Sequence, residues 1–199
     1  MSDLASQLAA RKALRDQNLP PWLKPEHAET TSVSVSEESF DLPISLIHIH
    51  ATSVLMGESQ VRAAHFRLFL QIKDTTKSIV LNSSGAASQG VTRLYITLYD
   101  YPWSGSPNTL GRQSLQVSNE FTVREAIMCL LEHNRDRYQL DPVHGSGCRY
   151  WCSRVLQDFA ESGWLLDTSS GAVDQLAETV KAIHPTVKIP IPSPQGTFY

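Results

Sequence analysis

Between residues 44 and 100 apolar side chains alternate with polar ones. In ISLIHIHATS (44–53) Ile47 and Ile49 alternate with His48 and His50, the period of two that a half-buried strand requires. In AAHFRLFLQIK (63–73) Phe66, Leu68, Leu70 and Ile72 take one face, and His65, Arg67, Phe69 and Gln71 the other. KSIVLN (77–82) makes a short third strand after the turn-like Asp74-Thr75-Thr76, and TRLYITLYD (92–100) a fourth; a fifth is weaker, near 113–118. Beyond Thr122 the period lengthens. Thr122 followed by Glu125 is a capping-box pattern, and it opens a helix over 123–135 with Val123, Ile127, Leu130 and Leu131 as its apolar stripe. After the loop DPVHGSG a second helix starts near Cys148, turns Trp151, Val155 and Phe159 inward and stops at Gly163. A weaker helical pattern covers 171–183.

Strands first and helices after predict an α+β domain: an antiparallel sheet of four to five strands with helices packed on one side. Ahead of it, Leu4, Leu8 and Leu14 mark an amphipathic helix over 2–17, which Pro20 and Pro21 end, and residues 18–40 read as a linker. The expected division is a helix and linker over 1–40, a core domain over 41–168, and a helix with a proline-rich tail, KIPIPSPQGTFY, over 169–199.

Composition narrows the function. At 199 residues, 41% hydrophobic and 19% charged, the chain suits one globular domain. Its net charge of −3 gives no general attraction to nucleic acid or to anionic membranes. No apolar run is long enough to span a membrane, and the N-terminus MSDLASQLAARKALRDQ lacks a signal's apolar core, so the expected location is cytoplasmic. Cys129, Cys148 and Cys152 are then thiols rather than a disulfide framework.

The segment richest in chemistry is His144-Gly-Ser-Gly-Cys148-Arg-Tyr-Trp-Cys152. Two glycines let a loop turn sharply into a helix, and Cys148 falls in or beside the first turn. There unpaired N–H groups and the positive end of the dipole favour a thiolate. Arg149 adds positive charge; Cys152, one turn deeper, reads as a packing thiol. The plain alternative for Cys148 is a small buried hydrophobe. Of seven histidines, His27 and His184 fall in linker and tail and His133 near a helix C-terminus. His144 precedes Cys148, and His48, His50 and His65 lie on central strands from which an imidazole can point into a cleft above a helix start. Each alone can equally be a hydrogen-bonded structural histidine. His48 and His50 share a face, but the short Cys/His spacings of zinc modules are missing, so neither metal nor other cofactor is called for. Arg149 and Arg67 are candidate partners for a substrate carboxylate. Tyr99 and Trp103, in the aromatic stretch that includes Tyr95, Tyr101 and Pro102, are candidate walls of an apolar pocket, with His50 beside it; core packing explains that stretch as well.

The segments around His65, Asn82 and Cys148 resemble an uncharacterised fungal domain family. The likeness covers about 44–166 and is most specific at Gly-Cys-Arg-Tyr-Trp and the Arg-Asp-Arg-Tyr ahead of it. The order of a strand histidine, a polar residue on the next strand and a cysteine at a helix start also resembles the circularly permuted branch of the papain-like superfamily. That branch includes lecithin:retinol acyltransferase-type enzymes and peptidases that remove ubiquitin-like modifiers. The resemblance implies Cys148 as nucleophile, His65 as base and Asn82 as the residue that orients the imidazole. The expected function is that of a cysteine-dependent acyl hydrolase or acyltransferase on a small molecule or peptide. Two alternatives stand beside it: a cyclase of fungal secondary metabolism that works without a covalent step, and a non-catalytic binding or scaffold protein. The N-terminal helix and the proline-rich tail are segments that could embrace a partner, a homo-oligomer being one option.

Overall fold

A computed structural model describes residues 24–56, 61–85, 91–103, 105, 107–144 and 146–199. The helix expected over 2–17 lies outside them. Among the described residues eight strands are formed: β1 Thr31–Ser34, β2 Ile44–Met56, β3 Val61–Ile72, β4 Ser78–Ser84, β5 Arg93–Tyr99, β6 Thr109–Gln116, β7 Tyr138–Gln139 and β8 Thr197–Phe198. The first six make one sheet in the order β1-β5-β4-β3-β2-β6. The fold is α+β, but the sheet has six strands rather than four to five, and it is mixed, because β1 runs parallel to β5.

The alternation read from the sequence sets the two faces. Ile47, Ile49, Phe66, Leu68, Leu70, Ile79, Leu81, Leu94 and Ile96 point to the inner face and are buried. Helices α1 Val123–Glu132, α2 Cys148–Glu161 and α3 Ala172–Ile183 contribute the other half of that core. Helix α1 opens on the expected capping box, with the Glu125 N–H donating to Thr122 Oγ1 and the Thr122 N–H to Glu125 Oε2. Helix α2 buries Trp151, Val155 and Phe159, and the chain turns away at Gly163 with φ 77°. Helix α3 packs on β6 at Gly111, where a Cβ would stand only 2.9 Å from Val180 Cγ2. Glycine is what permits that approach.

Phe69 and Val80 point to the outer face and are nonetheless buried. The link from β5 to β6 joins strands at opposite sides of the sheet, and it lays Tyr101 beside Phe69, ring centres 6.4 Å apart. The Ser78 hydroxyl donates to the Tyr101 carbonyl at 2.6 Å and pins it.

Within the stretch read as a linker, β1 pairs in register with β5, and buried His27 Nδ1 lies 2.8 Å from Asp136 Oδ2. Residues 24–40 are therefore part of the folded body, held by partners far away in sequence. The proline-rich tail is held too. The Lys188 N–H donates to Arg62 C=O and the Ala64 N–H to Lys188 C=O, while β8 pairs with β7. Among the described residues no helix is long and apolar enough to cross a membrane.

Candidate active site

The site is built where two strands part. β3 and β4 pair in register from Gln71–Ser78 to Leu68–Leu81 and no further, although both strands continue. A continued ladder would set Phe66 against Ser83. Instead the Phe66 N–H donates to Cys148 Sγ at 3.4 Å. The first residue of α2 thus fills a slot in the sheet. Cys148 reaches that slot from the inner face, and His65, on the outer-facing side of β3, borders it as well.

His65 Nε2 lies 2.7 Å from Asn82 Oδ1. A carbonyl oxygen accepts, so Nε2 carries a hydrogen and Nδ1 is the ring nitrogen left to hydrogen-bond Cys148. The two side chains shift each other. Burial alone pushes the Cys148 thiol up, but the charge and hydrogen bond of His65, with the backbone N–H groups of Phe66 and Arg149, outweigh it and hold the thiol below its usual range. Burial likewise pulls His65 down, and the charge and hydrogen bond of Cys148 together with Asn82 more than reverse it, so the imidazole sits above its usual range. Both directions favour a thiolate–imidazolium pair. The other cysteines behave oppositely: desolvation pushes Cys129 up to about 11 and Cys152 well above an ordinary thiol. Cys152 is the packing thiol its position one turn deeper predicts.

Cys148 and His65 open onto a cavity of about 480 Å³. Val54, Leu55 and Leu140 give it apolar walls; Thr52, Asn82, Ser84, Ser146 and Arg67 give it polar ones. The structure thus brings Cys148, His65, Asn82 and Arg67 together. It places the other candidates elsewhere. Arg149 is buried, its Nη2 donating to Pro190 C=O at 2.6 Å and its Nε 3.4 Å from Asp174 Oδ1, so it straps the tail to α2 and does not line this cavity. His50 lies behind Arg67, with Nδ1 accepting from Arg67 Nε at 3.4 Å and Nε2 meeting Thr109 Oγ1 at 3.2 Å. Tyr99 stacks on Tyr101, ring centres 4.8 Å apart, and Trp103 lies under the Arg112 guanidinium at 3.9 Å; both belong to the cover of the outer face. His48 is occupied by Ser114 and Gln71.

Sequence reasoning missed the frame behind Cys148. The Arg-Asp-Arg-Tyr run is that frame. Arg135 forms a buried two-pronged pair with Asp158, Asp136 holds His27 and the Thr30 hydroxyl, and Arg137 donates to Glu26 C=O. The Tyr138 hydroxyl donates to Gly147 C=O and accepts from the Gly196 N–H, each at 3.0 Å. One phenol therefore links the residue before the sulfur to the tail. Tyr138→Phe keeps the ring and leaves both backbone groups without it. It is expected to cost about 1–2 kcal/mol in urea unfolding at an unchanged m-value and to slow alkylation of Cys148. Wild-type stability and reactivity would show that the link carries nothing.

No curated protein and no solved structure matches the chain. A family model described as "Domain of unknown function (DUF7770)" matches residues 47–199, the tail included.

Proposed function

Since the chain belongs to the DUF7770 family, whose description assigns no activity, we propose from the site alone that it is a cysteine-dependent acyl hydrolase or acyltransferase. The observation that carries this reading is the arrangement at the slot: Asn82 holds His65 by Nε2, the imidazole and the thiol interact by charge and hydrogen bonding, and both open onto one cavity. The same order and roles are those of the circularly permuted papain-like enzymes that the sequence resembles. The likeness is one of residue order and chemistry.

The steps follow from the groups present. The Cys148 thiolate attacks an acyl carbonyl, a C–S bond forms, and the carbonyl electrons move to oxygen. The Cys148 N–H, at the first helical position and without an intrahelical acceptor, is placed to stabilise that oxyanion. The oxyanion collapses, the bond to the leaving group breaks, and His65 Nδ1–H protonates that group. The neutral imidazole then takes a proton from water, an amine or an alcohol, which attacks the thioester carbonyl. The C–S bond breaks, the thiolate returns, and the product is a free acid, amide or ester. Asn82 is a positioning residue, because it acts through the ring.

The test is to trap the acyl group. Incubation with p-nitrophenyl acetate should add one acetyl mass, and peptide mapping should place it on Cys148. Cys148→Ala should abolish it. Acetylation confined to lysines and unchanged in Cys148→Ala would sink the proposal and leave the non-covalent and binding alternatives.

A further inference from the structure

Arg67 lines the same cavity as Cys148 and His65. It is partly buried, and among the described residues no carboxylate pairs with it. Its Nε donates to His50 Nδ1, and its guanidinium carbon lies 5.1 Å from the centre of the Phe69 ring. These contacts fix its aim without neutralising its charge. A cation withdrawn from water without a counter-ion is costly, and desolvation accordingly lowers its pKa. The described cavity lining contains no aspartate or glutamate. With a thiolate–imidazolium pair the slot is neutral, so among the described lining residues Arg67 leaves one net positive charge.

Resting on the thiol reading above, we infer that Arg67 is a specificity-determining residue and that the acyl group transferred carries its own carboxylate. Arg67 is two residues from His65 on the same strand face, a separation of about 6.5 Å along β3. Its guanidinium leans over Phe69, on the side away from His65, so it would meet an anion several atoms from the attacked carbonyl. Acyl chains of dicarboxylic half-acids, or peptide-like acyl donors with a nearby carboxylate, have that spacing. The planar guanidinium binds such a group through two parallel N–H donors. The apolar walls of Val54, Leu55 and Leu140 suit the methylenes between the two ends.

Two reagents of the same size and different charge test this. Cys148 should react with iodoacetate faster, relative to iodoacetamide, in the wild type than in Arg67→Gln. The ratio should fall about tenfold at low salt in the variant, change less in Arg67→Lys, and shrink in the wild type as salt is raised. An unchanged ratio in Arg67→Gln overturns the inference even if Cys148 proves highly reactive. If Cys148 is inert to both reagents, the thiol reading fails by itself, and the carboxylate site is judged at equilibrium. Calorimetry with succinate and with its neutral diamide should then show binding of the acid alone, lost in Arg67→Gln. Succinate binding no better than the diamide also overturns it.

Discussion

Iodoacetamide added near pH 6 is expected to label Cys148 while Cys129 and Cys152 stay unmodified. All three thiols are buried, so exposure alone does not separate them. Cys148 keeps 8% of its surface and opens on the cavity, whereas Cys152 keeps none. The decisive difference is charge. Cys148 has a lowered pKa, so its thiolate persists below the ordinary thiol range; Cys129 near 11 is protonated at pH 6. Alkylation of Cys148 should rise with pH as the lowered thiol titrates. It should then hold level while thiolate and imidazolium coexist, and change again where His65, raised above the usual imidazole range, loses its proton. Turnover that needs the imidazolium as acid should fall across that second step. His65→Ala removes the largest stabiliser of the thiolate and leaves burial opposed by two N–H groups. Part of the gain in thiolate is offset by its lower basicity, so the expected loss at pH 6 is about tenfold to a hundredfold. Asn82→Ala should lie between, with the pH profile displaced rather than abolished. Equal labelling of the three cysteines, measured by peptide mass mapping over time, would remove the basis for covalent chemistry.

Asp158→Ala is expected to be the most destabilising single change outside the aliphatic core. Both carboxylate oxygens of Asp158 accept from Arg135, at 2.6 and 2.7 Å, and both residues are buried. Removing one partner leaves a buried guanidinium without its charge. Such losses run to about 3–5 kcal/mol, a large share of the roughly 5–15 kcal/mol that holds a domain folded. The damage should spread, because the Arg135 carbonyl accepts from Trp151 Nε1 and its guanidinium lies 4.4 Å from the centre of the Phe198 ring in the tail strand. Thermal or urea unfolding measures the loss. Replacing both residues together, as Arg135→Met with Asp158→Leu, should recover most of it, since no unpaired charge remains. A loss below about 1 kcal/mol in Asp158→Ala would mean that the pair is far better solvated than its burial implies.

The four central strands and three helices were legible because each carries its own period. Phe66-x-Leu68-x-Leu70 cannot be buried on one side except as a strand, and Thr122 with Glu125 announces the start of a helix that the structure keeps. Strand β1 was not legible. Thr31-Ser-Val-Ser is short and polar, and it pairs with Leu94–Thr97, a partner that only the completed sheet supplies. The tail was illegible for the same reason: Pro190 is fixed by Arg149, and Gly196 by Tyr138, both remote in sequence. Arg149 looked like a substrate contact because an arginine beside a helix-start cysteine adds charge there. Its side chain instead turns toward Asp174 and the tail.

By itself the sequence determined the α+β class, the helix start at Cys148 and the strand face that His65 shares with Arg67, because periodicity and capping are local. Only the tertiary structure decided that β3 and β4 separate beyond Leu68 and Leu81, and that the sulfur occupies the opening. Where a ladder stops depends on what competes for its N–H groups, and here the competitor comes from a helix far along the chain. That opening is what lets a cysteine on the helix side of the sheet meet a histidine on the other.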